Sequence, residues 1–126
     1  MRETRGLAHL KKQFPRAHFQ RVETWAGSGV PDTNCCMDGV EAWIELKQVS
    51  RPKTNRGLIK PKVKPEQIAW EALRRAAGGR TWVGLMVDHE FYLLRGKHLK
   101  ELGIGISQTR LSELKSPMQQ LFLVSL

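Results

Sequence analysis

The chain has 126 residues, 40% of them hydrophobic and four of them tryptophan, which suits one folded domain and excludes a disordered or collagen-like chain. No stretch approaches the ~20 apolar residues that a spanning helix needs, and residues 1–5 lead into no apolar run of the secretory type, so a cytoplasmic protein with no membrane partner is expected. A formal charge of +9, from 21 Lys and Arg against 12 Asp and Glu, points to a polyanion partner, most simply nucleic acid.

Residues 3–13 read as a helix with Leu7, Ala8 and Leu10 on its apolar face, stopped by Pro15. Residues 17–25 read as a strand, followed by the loop Ala26-Gly27-Ser28-Gly29. Residues 30–37 and 40–48 are strand-like and flank Asp38-Gly39, a strong local signal for a two-residue hairpin turn. A basic loop covers 49–64. Pro65 then opens a helix over 65–77, with Ile68, Ala72, Leu73 and Ala76 as its apolar stripe, Arg74 and Arg75 near its end and Gly78-Gly79 as its stop. Strands follow over 81–87 and 91–95, joined by Asp88-His89-Glu90. Short helices are expected over 97–102 and 109–115, and a last strand over 119–125. The order α-β-β-β-α-β-β is that of a mixed sheet flanked by helices, an α/β class. We expect one domain over 1–126, with its core in about residues 3–95 and a less defined tail over 96–126. Cys35 and Cys36 are adjacent and the four histidines are scattered, so two reduced thiols are expected and no zinc site.

The hairpin carries the chemistry. If Asp38 and Gly39 are its two loop residues, Met37 faces Val40, and stepping outward brings Asp32 opposite Glu45. Opposed residues have Cβ atoms roughly 4.5–5.5 Å apart. Lys47, two residues beyond Glu45, projects from the same face, because strand side chains alternate. Opposed like charges destabilise a sheet unless something compensates. A hard divalent cation would do so, and it would also polarise a phosphodiester and acidify an attacking water. Lys47 would add positive charge where negative charge develops. Taken alone, Glu-x-Lys in a strand is most often an ordinary surface pair, and a bulge in the hairpin would face the two acids apart.

Gly29-Val30-Pro31-Asp32 followed by Ile44-Glu45-Leu46-Lys47 resembles the signature of the PD-(D/E)XK nuclease superfamily. With Pro65-Glu66-Gln67 opening the next helix, it resembles the virus-type replication-repair (VRR-NUC) branch and its small members that are similar to Holliday junction resolvases. The likeness covers about residues 3–95. It implies a restriction-endonuclease-like α-β-β-β-α-β core in which Asp32, Glu45 and the main-chain carbonyl of Leu46 bind Mg²⁺ or Mn²⁺. It further implies that Lys47 orients or activates the attacking water, and that Gln67 positions the lysine or the substrate phosphate. Glu3 is a further acid of that pattern, with Glu23 an alternative. The longer Gln-xxx-Tyr motif of exonuclease-like branches is absent, since Glu71 stands at the tyrosine position.

Arg51, Lys53, Arg56, Lys60, Lys62 and Lys64 occur with no acid among them, directly after the presumed active strand. Such a segment suits contact with a phosphate backbone and carries no base preference. Trp43 shares the predicted face of Glu45 and Lys47 and is a candidate to line the cleft. The leading expectation is a Mg²⁺-dependent, structure-selective DNA endonuclease of phage or bacterial type acting on branched DNA, such as Holliday junctions or flaps, as a homodimer. The alternative is a non-catalytic basic nucleic-acid-binding protein on a nuclease-like scaffold, and a third reading is an assembly protein whose basicity is incidental. If ordinary carboxylates hold the metal, Mg²⁺ affinity should weaken as pH falls towards ~4.

Overall fold

A computed structural model describes residues 4–22, 28–54 and 56–124. Helix α1 (Arg5–Gln13) starts at Thr4, whose hydroxyl accepts a hydrogen bond from the Leu7 amide at 3.1 Å. Strand β1 (His18–Arg21) leads to the hairpin of β2 (Thr33–Met37) and β3 (Val40–Val49). Helix α2 (Pro65–Ala76) connects β3 to β4 (Thr81–Val87), and β5 (Glu90–Arg95) follows. A 3₁₀ turn (Gly96–His98), α3 (Leu99–Ile104), α4 (Gln108–Leu114) and a second 3₁₀ turn (Met118–Phe122) complete the chain.

The five strands form one sheet in the order β1-β2-β3-β4-β5. The β3–β4 pair is parallel and the others are antiparallel, so the sheet is mixed as expected. Asp38 and Gly39 are indeed the turn, both at positive φ, and the pairs run from Met37↔Val40 to Thr33↔Ile44 in the anticipated register. The parallel β3–β4 link explains α2, since a crossover of a dozen or more residues is needed to return the chain to the same end of the sheet.

Each face of the sheet has its own core. Leu10, Cys35, Ala42, Ile44, Trp82 and Leu121 pack under α1 and the last 3₁₀ turn. Val83, Leu85, Leu94, Leu99, Leu102 and Leu111 pack on the other face, with Ile68 of α2 against them. Residues beyond 95 therefore contribute to both cores. Both cysteines are free, and burial pushes the Cys35 thiol up to about 12. Among the described residues no helix is long and apolar enough to cross a membrane.

The structure departs from the sequence reading in four places. The expected strand over 119–125 is instead a 3₁₀ turn over Met118–Phe122. Adjacent Leu121 and Phe122 are both buried on one side, which a helical turn permits and an alternating strand does not. The second hairpin is tighter than expected, because Glu90 pairs with Val87 and Asp88, at φ 54°, takes a turn position. The basic loop is partly anchored: Ile59, Pro61 and Val63 turn inward while Lys60, Lys62 and Lys64 turn outward, and Ile59 bridges Ile106.

The fourth departure concerns α2. Ala72, Leu73 and Ala76 are exposed, Leu73 by 73%, and of the expected stripe only Ile68 packs inward. The helix turns a polar row, Gln67 and Glu71, to the sheet. Glu71 is buried and accepts a hydrogen bond from the Thr81 hydroxyl at 2.7 Å and an ion pair from Arg75 at 2.8 Å. The sheet beneath presents polar groups, so a polar helix face satisfies them where an apolar one would leave them unpaired.

Candidate active site

Pairing of β2 with β3 ends at Thr33↔Ile44, and Asp32 is the next residue outward. Its carbonyl accepts from the Val22 amide at 2.9 Å, which holds the β1 end of the chain against it. Its carboxylate Oδ1 accepts from the Leu46 amide at 3.1 Å and from the Thr33 hydroxyl at 3.3 Å. In an extended strand the N–H and C=O of one residue point to the same edge. The Leu46 carbonyl therefore faces the side on which Asp32 lies.

Glu45, one residue past the last pair, is 7% exposed. Burial first, and the charge of Asp32 second, push its carboxyl from the ordinary 4.5 up to about 7, against the pull of Lys47. Burial raises Asp32 as well, opposed by the Leu46 and Thr33 hydrogen bonds and by Lys47. The Lys47 ammonium lies 3.6 Å from Glu45 Oε1. It donates to Gln67 Oε1 at 3.0 Å, and Gln67 Nε2 donates to the same Glu45 oxygen at 3.3 Å. Gln67 Oε1 also accepts from the Lys64 amide at 2.9 Å, which fastens the side chain to the start of α2. One glutamine thus ties lysine, glutamate and helix together.

Asp32, Glu45, Leu46, Lys47 and Gln67 therefore meet at one place. Glu3 and Glu23 lie outside the described residues. A buried and a half-buried carboxylate with a carbonyl edge are all-oxygen donors, the type that hard cations such as Mg²⁺ and Mn²⁺ take with water completing the shell. This donor set fits the metal that the sequence resemblance implies. Among the described residues no group of three or more His, Cys, Asp and Glu side chains gathers as a metal cluster. Of the basic segment, Lys53, Arg56, Lys60, Lys62 and Lys64 are exposed, whereas Arg51 is engaged with Glu90, Tyr92 and Gln108. Trp43 is half-buried on the Glu45 side, edge-on to Trp70, with the Arg74 guanidinium over both rings at 5.5 and 4.7 Å.

The chain superposes on a Holliday junction resolvase of the archaeal hyperthermophile Archaeoglobus fulgidus, Hjc, with a TM-score of 0.64 and 13% sequence identity, covering 94% of this chain and 99% of that one. The two chains share a fold. No protein-family model and no curated protein matches the chain in sequence. The shared fold is the restriction-endonuclease-like α/β arrangement, a mixed five-stranded sheet with flanking helices.

Within this fold, sequence reasoning missed the residues that set the site's geometry. Thr33 is 1% exposed and braces Asp32. Gly29 lies at φ 81°, and a Cβ there would sit 2.0 Å from the Glu66 carbonyl oxygen. The Gly29 backbone is thereby docked on the first turn of α2, beside Gln67. A Gly-x-Pro-Asp string hints at a turn, but only the fold shows that it touches a helix 37 residues away in the chain. Gly29→Ala combines a left-handed backbone with a backbone clash. It is expected to destabilise the protein by at least ~2 kcal/mol in urea denaturation. A change below ~0.5 kcal/mol, the scale of an ordinary surface substitution, would show that α2 does not dock there.

Proposed function

We propose that this protein is a Mg²⁺- or Mn²⁺-dependent deoxyribonuclease of the VRR-NUC branch that cuts branched DNA, such as Holliday junctions or flaps, in DNA repair or phage replication. The observation that carries the reading is the convergence of Asp32, Glu45 and Lys47 across one hairpin, with Gln67 locking the last two, on a fold shared with a Holliday junction resolvase. Asp32, Glu45 and the Leu46 carbonyl would hold the ion. When bound, it polarises the phosphodiester and lowers the pKa of the attacking water.

The remaining work falls to the chain. Water adds to phosphorus and one ester P–O bond breaks, so negative charge grows on the phosphoryl oxygens. Lys47, held by Gln67, places its ammonium where that charge grows. Gln67 limits the lysine to one position, which is how a neutral side chain contributes to a charged centre. The exposed lysines 60, 62 and 64 lead along the chain to Gln67 and suit contact with the backbone flanking the cut. A homodimer, with two sites for two strands, is supported by the outward apolar stripe Ala69, Ala72, Leu73 and Ala76 of α2.

The test is a panel of linear, flapped and four-way DNA with Mg²⁺ or Mn²⁺. Cleavage of branched substrates ahead of linear duplex is expected, together with a dimeric mass by light scattering. Salt-dependent binding of all substrates with no cleavage of any would instead favour a non-catalytic nucleic-acid-binding protein. A monomer with and without DNA would contradict the dimer.

A further inference from the structure

A second basic cleft lies at the end of the sheet where α2 ends, β4 begins and β5 finishes. Its volume is about 410 Å³, and its cationic walls are Arg75, Arg80, Arg95 and Lys97. Close packing builds it: a Cβ on Gly96 would lie 2.3 Å from the Thr81 hydroxyl, so only glycine lets the end of β5 approach β4 there.

The charges in this cleft are not balanced from within. Arg75 is paired with Glu71. Among the described residues no carboxylate forms an ion pair with Arg80, Arg95 or Lys97. Arg80 donates Nη2 to the carbonyls of Gln120 and Leu121 at 3.2 and 2.8 Å, which fixes the side chain without neutralising it. Its buried Nε has no hydrogen-bond partner among the described residues. Arg95 lies over the Trp82 ring at 5.0 Å and donates to Gln120 Oε1 at 3.4 Å. Burial, then the charge of Arg95, lowers Arg80. A buried donor without an acceptor and two mutually repelling arginines call for an anion.

The position of the cleft narrows the choice of anion. In the parallel register Trp43 lies beside Thr81 and Glu45 beside Val83. Thr81 at the cleft is therefore two strand residues from the level of Glu45, roughly 7 Å along the sheet, whereas Arg80 and Arg95 lie with Trp82 on the other face, against the last 3₁₀ turn. The Trp43–Trp70–Arg74 cluster lies on the Glu45 face, beside Thr81 on the neighbouring strand. A strand leaving Lys47 past those rings would reach the cleft by rounding the end of the sheet beside Arg75.

We propose that Arg80, Arg95 and Lys97 form a second phosphate site that grips the DNA backbone a short distance from the bond cut beside Lys47. This rests on the DNA-cutting function proposed above. The experiment measures binding of a four-way junction in EDTA across a salt series. It compares wild type, Arg95→Gln/Lys97→Gln, and a control that loses the same charge elsewhere, Lys100→Gln/Lys115→Gln. Thermal melting of each confirms that it is folded.

The slope of log affinity against log salt should shrink by about 2 in the cleft variant, one for each phosphate contact, and by less than about 0.5 in the control. Equal slopes in the two variants would overturn the proposal, even if wild type cleaves. A cleft-dependent slope in a protein that never cleaves would uphold the site and fail the nuclease. Inorganic phosphate at matched ionic strength separates the remaining source. Should it shift the Trp82 indole resonance at micromolar concentration while the DNA slopes stay equal, the cleft takes free phosphate and the DNA assignment is overturned.

Discussion

Lys47→Ala is expected to slow cleavage of branched DNA by about 100- to 1000-fold, the usual loss when one group facing developing charge is removed. Asp32→Ala should cost at least as much, because it removes both a carboxylate and the acceptor of the Leu46 amide. Neither change should abolish binding of the same DNA in EDTA, since the exposed lysines 60, 62 and 64 remain. Gln67→Ala should fall between these variants and wild type. It leaves the ammonium in place but removes the hydrogen bond at 3.0 Å that aims it. Initial rates on a four-way junction at saturating Mg²⁺ measure all three. Undiminished cleavage by both Lys47→Ala and Asp32→Ala would place the chemistry elsewhere.

Metal-free protein is expected to lose stability as pH rises from about 5 to 8. The folded state holds the Glu45 proton up to about 7, while the unfolded chain releases it near 4.5. Between those values the folded state binds more protons. Its advantage is complete below the lower value and is lost as pH passes through the upper one. For a carboxyl this buried, the difference is worth roughly 3 kcal/mol. Asp32, raised by the same burial, acts in the same direction. Glu45→Gln keeps the shape and an acceptor for Gln67 but has no proton to lose, so its melting temperature should vary much less over this interval. Mg²⁺ should restore the wild type at pH 8 and leave Glu45→Gln little changed. The same elevated carboxyl corrects the expectation from ordinary acids: affinity for Mg²⁺ should begin to weaken near pH 7 instead of near 4. A melting temperature of metal-free wild type that is flat from pH 5 to 8 would contradict the raised Glu45 carboxyl.

The hairpin was legible because Asp38-Gly39 is local turn chemistry, and its register carries from Met37↔Val40 out to Thr33↔Ile44, beside which Asp32 and Glu45 follow. Asp32, Glu45 and Lys47 followed from it, whereas Leu46 and Gln67 came from the family resemblance, and the fold brings the five together. The orientation of α2 was not legible. Ala72, Leu73 and Ala76 form as good an apolar stripe as any core-facing helix, yet they face outward. What turns the helix over is tertiary: Gly29 against its first turn, and Glu45, Lys47 and Thr81 asking for polar partners. Helical periodicity reports which residues share a face, and a helix in an oligomer or beside a polar site has two faces with reason to be apolar or buried. The basic cleft was hidden for a similar reason. Arg75, Arg80, Arg95 and Lys97 are spread over 23 positions and are gathered only by the pairing of β4 with β5. The final 3₁₀ turn was misread because Leu121, Phe122, Leu123 and Val124 look like a strand when their packing partners, Leu10 and Phe14 of the first helix region, are out of view.

The most direct test is calorimetric titration of Mn²⁺ into metal-free wild type, Asp32→Asn and Glu45→Gln at pH 8. Saturable binding by wild type that is lost in both variants, each still folded, is the predicted result. Equal Mn²⁺ affinity in all three would mean that these two carboxylates do not share an ion, and the proposed nuclease centre would fail with them.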